Sequence, residues 1–110
     1  QEALDNLEAI LDVPGINGVY IGPSDLGFSL GLEPRQDREE PQVLKIYERV
    51  VKECGKRGIA PGVHNLTPAY AARMIGMGFR FVTIANDSGL MLRAALAAVA
   101  AVRQAAGDKA

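Results

Sequence analysis

Gly18-Val19-Tyr20-Ile21-Gly22-Pro23-Ser24-Asp25-Leu26 runs a short apolar strand straight into a Gly-Pro turn that presents a hydroxyl and a carboxylate. Where parallel strands form open sheets or barrels, ligands bind just beyond the carboxyl ends of the strands. Asp25 therefore stands where chemistry is done. It has a competing use as a helix N-cap, which Ser and Asp commonly serve after a turn.

On either side of this segment, helical patterns alternate with apolar runs. Upstream, Leu4, Leu7, Ile10 and Leu11 share one face of a helix expected over Glu2 to Leu11. Asp12-Val13-Pro14-Gly15 ends it, because proline disfavours helix in the residue before it and breaks the ladder. Downstream, Gly22 to about Glu40 reads as a loop with room for one helical turn after Pro23. A helix from about Pro41 to Gly55 follows, with Val43, Ile46, Tyr47 and Val50 as its buried stripe and Gly55 or Gly58 as its cap. Ala60 to His64 is the second strand. Thr67-Pro68 opens a helix to about Met77 that Gly78 closes. Phe79 to Ala85 is the third strand, and Asp87 or Ser88 caps a long Ala-rich helix ending near Gly107.

Strands that alternate with helices form a parallel sheet. Their continuous apolar character predicts burial on both faces. Three such strands cannot close a barrel, so two sheet edges and some apolar helix surface need further protein to cover them.

Composition narrows the function class. The chain has 110 residues, which allows one domain at most, over 1–110. With 48% apolar and 23% charged residues it is globular in type. A formal net charge of −1 and no basic cluster argue against nucleic-acid binding. The single cysteine, Cys54, cannot form an internal disulfide and suggests a reducing compartment. The most apolar stretch, Leu90 to Val102, is interrupted by Arg93 and is shorter than the roughly 18 residues a bilayer requires. No basic region followed by an apolar core marks a signal peptide at the N-terminus. The expectation is a soluble, cytoplasmic chain that acts on a small molecule or another protein, without membrane or nucleic acid.

Three elements together, Ala3-Leu4-Asp5-Asn6-Leu7, Gly22-Pro23-Ser24-Asp25-Leu26 and the Phe81-Val82 strand leading to Asn86-Asp87, resemble the HpcH/HpaI aldolases. These are metal-dependent pyruvate aldolases in the superfamily of the citrate lyase beta subunit. The resemblance covers essentially the whole chain. It implies an α/β fold, the last three βα units of a (β/α)8 TIM barrel, left incomplete in this chain. The activity it implies is reversible aldol cleavage of a 2-oxo-4-hydroxy acid (a 2-keto-3-deoxy acid) to pyruvate and an aldehyde. A divalent cation (Mg²⁺, Mn²⁺ or Co²⁺) would neutralise charge on the pyruvate enolate. Hard oxygen ligands suit such a cation, and a small protein ligand set leaves positions open for substrate.

The same resemblance makes Asp25 a metal ligand. Ser24 would offer its backbone N–H to the substrate carboxylate, with Gly22 and Pro23 shaping the turn. The family's Glu ligand falls just upstream of Gln1, and its Arg and His/Asp acid–base groups lie on earlier strands; Glu2 lies too far into its helix to substitute. The 110-residue chain alone is thus expected to be inactive. His64, the only histidine, lies at a strand end. It either bonds its own loop or contacts substrate, where it would tune which aldehyde is accepted. Several relatives carry an apolar residue there, which argues against an essential catalytic role.

Asp87 is read as a cap in preference to a site residue, and Cys54 as a buried structural cysteine with no activating base beside it. Glu33 to Glu40 is expected to be a solvated loop bordering the site. The last helix, with Leu92, Leu96, Val99 and Val102, is packing surface; in relatives it is exchanged between subunits, which implies a homo-oligomer. Two other readings stand beside the aldolase: a malyl- or citramalyl-CoA lyase on the same scaffold, and a non-catalytic remnant that only associates with other subunits.

Overall fold

Three parallel strands, β1 (Gly18–Ile21), β2 (Ala60–Asn65) and β3 (Phe81–Ile84), form an open sheet in the order β1-β2-β3. The computed structural model describes residues 1–107. The register pairs Tyr20 with Gly62, Ile21 with Val63, and His64 with Thr83. Six helices accompany the sheet: α1 (Glu2–Asp5), α2 (Leu7–Leu11), α3 (Pro23–Ser29), α4 (Pro41–Lys56), α5 (Pro68–Met77) and α6 (Asp87–Ala106).

The N-terminal helix is broken where one was expected. Asn6 sits at φ −105°, ψ 15°, and its side-chain amide donates to the Glu2 carbonyl at 2.9 Å. Asparagine competes with the backbone for such partners, and the helix divides there. Leu7 and Leu11 are buried against α4, whereas Ile10 is exposed. After Pro23 the chain makes seven residues of helix, well beyond one turn.

A shared device ends α4 and α5. Gly58 (φ +68°) and Gly78 (φ +115°) take the left-handed conformation. The next N–H groups, of Ile59 and Phe79, reach back to the carbonyls of Cys54 and Met74 at 3.0 and 3.1 Å. This is the Schellman arrangement, in which glycine avoids the Cβ penalty. Each chain reversal leads directly into the next strand, and Gly58 rather than Gly55 does this for α4.

One face of the sheet is covered. Val43, Tyr47, Val63, Tyr70, Met74 and Phe79 form one core cluster; Leu7, Leu11, Val50, Cys54 and Ile59 form a second. Tyr47 and Phe79 meet edge to face, with ring centroids 5.6 Å apart. Burial on both faces holds for most of β2 but not for β1, which alternates between exposed and half-buried positions, nor for β3, which is exposed at Phe81 and Ile84 and half-buried between them. Tyr20 and Phe81 on the uncovered face are 47% and 55% exposed. An edge strand lacks the neighbours that would enclose its second face.

Cys54 is fully buried, and burial pushes its thiol up. Contrary to expectation a base does lie nearby, Arg57, but it is held by Asp12 at 2.7 Å and by Glu53 at 3.0 Å. Burial outweighs it, and the cysteine is structural.

The helix α6 has no buried residue, and the molecule with α6 included measures 63 × 28 × 21 Å. At 20 residues it is long and apolar enough, by length and composition, to cross a bilayer. The expectation that no segment reaches that length is corrected: helix continues past both ends of the apolar run. A single such helix is weak evidence for a membrane span, and Arg93 still interrupts it.

Candidate active site

At the carboxyl end of β1, Gly22 occupies the N-cap position of α3, extended at φ −89° and ψ 107°. Pro23 takes the first helical position, where its missing N–H costs nothing. Asp25 falls in the first turn, exposed, and is not the N-cap. Its carboxylate folds back over the turn: a Cβ placed on Gly22 would lie 2.9 Å from Asp25 Oδ2. Among the described residues this carboxylate has no hydrogen-bond or ion-pair partner. The Ser24 hydroxyl, by contrast, donates to the Arg35 carbonyl at 3.4 Å; its backbone N–H, in the first turn of α3, has no backbone hydrogen-bond partner among the described residues.

Residues that were expected to form a solvated loop instead hold the turn in place. Arg38 is completely buried. Its Nε donates to the Pro23 carbonyl at 3.0 Å, Nη1 to Glu40 at 2.8 Å and Nη2 to the Glu33 carbonyl at 2.5 Å. Its own carbonyl accepts from the Tyr70 hydroxyl. The guanidinium lies against Gly27, where an added Cβ would sit 1.6 Å from Nη2. Asp37 accepts from the N–H groups of Leu66 and Thr67 at 2.8 and 3.1 Å and from the Thr67 hydroxyl at 2.6 Å. The segment between α3 and α4 thus ties the end of β1 to the end of β2. Nothing in its mixed charges marks Arg38 as the buried member; its contact with Gly27, eleven residues earlier, is the signal, and sequence does not show that proximity.

His64, at the end of β2, bonds through Nδ1 to Thr83 Oγ1 at 2.8 Å. Continuing the Ile21–Val63 register by one residue places His64 level with Gly22. The structure therefore brings His64 and the Asp25 turn to the same end of the sheet. Asn65, next in line, is fully buried and its amide donates to the carbonyls of Val63 and Thr83 at 3.1 and 3.0 Å. At the end of β3, Ala85 takes a left-handed φ of +53°, and Asn86 is the cap of α6, accepting from Gly89 N–H at 2.8 Å. The cap is thus neither Asp87 nor Ser88. Asn86 is extended, as an N-cap must be, and Asp87 already belongs to the helix, accepting from Ser88 N–H at 2.7 Å.

Residues 1–94 match the family described as HpcH/HpaI aldolase/citrate lyase. The chain belongs to this family.

Among relatives of this HpcH/HpaI chain, a 2-keto-3-deoxy-L-rhamnonate aldolase of Klebsiella pneumoniae is 39% identical over 84% of the chain and 34% of its own length. A hydroxypyruvate/pyruvate aldolase of Rhizorhabdus wittichii is 37% identical over 94% of the chain and 41% of its length. An HpcH/HpaI aldolase/citrate lyase family protein of Burkholderia cenocepacia superposes with a TM-score of 0.84 at 31% identity, over 91% of this chain and 38% of that one. An HpcH/HpaI aldolase of Desulfitobacterium hafniense, at 23% identity, shares the fold with a TM-score of 0.82. The chain thus spans roughly 34–41% of the length of these curated relatives. Its open parallel sheet corresponds to part of their TIM-barrel-like fold.

A divalent cation suits the donor set in part. Asp25 offers a hard, unpartnered carboxylate at the correct end of a strand. Among the described residues no three His, Cys, Asp or Glu side chains converge on one point.

Proposed function

We propose that this chain supplies the Asp25 ligand and the substrate-carboxylate turn of a divalent-metal-dependent aldolase that cleaves 2-oxo-4-hydroxy acids to pyruvate and an aldehyde. The carrying observation is the Asp25 carboxylate: exposed, unpaired and folded over Gly22 at the carboxyl end of a parallel strand. The names of the relatives, aldolases of 2-keto acids, favour this over a CoA-ester lyase. The bound cation supplies Lewis-acid stabilisation of the negative charge that develops as the carbon–carbon bond breaks. Asp25 holds it and adds a negative charge that anchors its position. The open N–H groups at the start of α3 orient the substrate carboxylate, with Gly22 and Pro23 fixing the turn. His64 lies beside them as a substrate contact.

In this reading a second carboxylate ligand and the acid–base groups come from protein outside this chain, so residues 1–110 form the C-terminal portion of one barrel domain and are inactive alone. A second copy covers α6, whose Leu92, Leu96, Val99 and Val102 are all exposed.

The test is pyruvate release from a 2-oxo-4-hydroxy acid by the full-length protein after chelation. Restoration by Mn²⁺ or Mg²⁺ is expected. Turnover that survives exhaustive chelation would contradict the proposal.

A further inference from the structure

The uncovered face of the sheet carries a hydrogen-bonded chain across all three strands. Gly62 on β2 has no side chain, and a Cβ there would come within 2.9 Å of Phe81 and 3.0 Å of Tyr20. The two rings close over this gap from either side, with centroids 5.4 Å apart. Tyr20 of β1 thereby reaches across β2, and its hydroxyl meets Thr83 Oγ1 of β3 at 2.5 Å. Thr83 Oγ1 in turn meets His64 Nδ1 at 2.8 Å. Among the described residues His64 Nε2 has no protein partner.

The direction of the chain follows from acidity. A phenol, with a pKa of about 10, is a far better donor than an aliphatic alcohol, so Tyr20 donates to Thr83. With the Thr83 hydroxyl proton directed at His64 Nδ1, the imidazole would carry its own proton on Nε2, since the bond made by one ring nitrogen sets the state of the other.

We propose that Tyr20 and Thr83 are positioning residues that fix His64 as an Nε2–H donor, making the site selective for substrates whose aldehyde-derived part carries an oxygen acceptor, a hydroxyl or a carboxylate. This rests on the aldolase reading. The rings of Tyr20 and Phe81 close over Gly62, two residues from His64 along the same face of β2, so an oxygen on the substrate would find His64 as its donor there, while a donor left unpaired against a deoxy substrate loses a hydrogen bond.

The experiment uses the full-length protein with its metal. The ratio of kcat/KM for a hydroxylated aldehyde to that for a deoxy aldehyde of equal chain length is measured in the aldol direction. Thr83→Val and Tyr20→Phe should each lower this ratio, Thr83→Val by about tenfold, and Thr83→Ser should restore it. An unchanged ratio in both variants overturns the proposal; if Thr83→Val does not fold, Tyr20→Phe decides. In parallel, nitrogen-15 NMR at about pH 8, above the ordinary imidazole range, reads the His64 tautomer, assigned by its loss in His64→Gln. A protonated Nε2 with a bare Nδ1 is expected, and a protonated Nδ1 overturns the relay. If the wild type releases no pyruvate with any divalent metal, the aldolase reading fails separately, and the tautomer alone decides the relay.

Discussion

Asp25 and Gly22 are best understood together, because the carboxylate occupies the space a side chain at position 22 would need. Oδ2 lies 2.9 Å from where a Cβ would be, closer than real Cβ contacts allow. Gly22→Ala should therefore swing the carboxylate outward while leaving the extended backbone undisturbed. Mn²⁺ affinity of the full-length protein should fall by about tenfold, measured by calorimetric titration, with little change in Tm. Gly27 is a second close approach, with a harsher consequence. Alanine there would drive the Arg38 guanidinium from its three partners and leave buried acceptors without a donor. Thermal or denaturant unfolding of Gly27→Ala should show a loss of about 3 kcal/mol, the scale of breaking a buried ion pair.

Among the elements, α4 carries an ion-pair network near its C-terminus that makes stability depend on pH. Glu53 is held below the usual glutamate range by hydrogen bonds from Lys56 and Arg57, and Asp12 is lowered by Arg57. A carboxylate with a depressed folded pKa contributes stability above its unfolded value, about 4.3 for Glu. That contribution is lost as pH falls through the lower folded value. Scans of Tm against pH should thus show wild type and Glu53→Gln separated at neutral pH and converging below about pH 4. Persistent separation in acid would mean that packing, not charge, sets the difference. The strands, the glycines that end α4 and α5, and the Thr67-Pro68 helix start were legible in the sequence, because turn chemistry and apolar runs are local signals. The Asp25 turn was legible for the same reason. Asn6 breaking its helix, the burial of Arg38 and the Tyr20–Thr83–His64 chain were not. The first depends on a competition between side-chain and backbone hydrogen bonds, and the others on contacts between segments distant in sequence. Strand parity alone would have put Tyr20, His64 and Thr83 on one face, had the strand registers been known.

At the scale of the whole molecule, an open sheet with one covered face and a 20-residue helix with no buried residue leave apolar surface uncovered. Leu96 lies at the centre of the exposed apolar stripe of α6. Leu96→Asp should shift the full-length protein toward smaller assemblies in sedimentation velocity, while a change on the opposite face such as Ala101→Gln should not. The central claim, however, is that the turn after β1 holds a catalytic cation. The measurement that tests it most directly is Mn²⁺ binding to the full-length protein and its Asp25→Asn variant, followed by electron paramagnetic resonance and paired with pyruvate release. The substitution keeps the shape of the turn and removes one hard anionic ligand. Loss of Mn²⁺ affinity by about 100-fold or more, with turnover falling in step, is the predicted result. Equal Mn²⁺ binding in the two proteins would contradict it and leave Asp25 as an ordinary first-turn residue of α3.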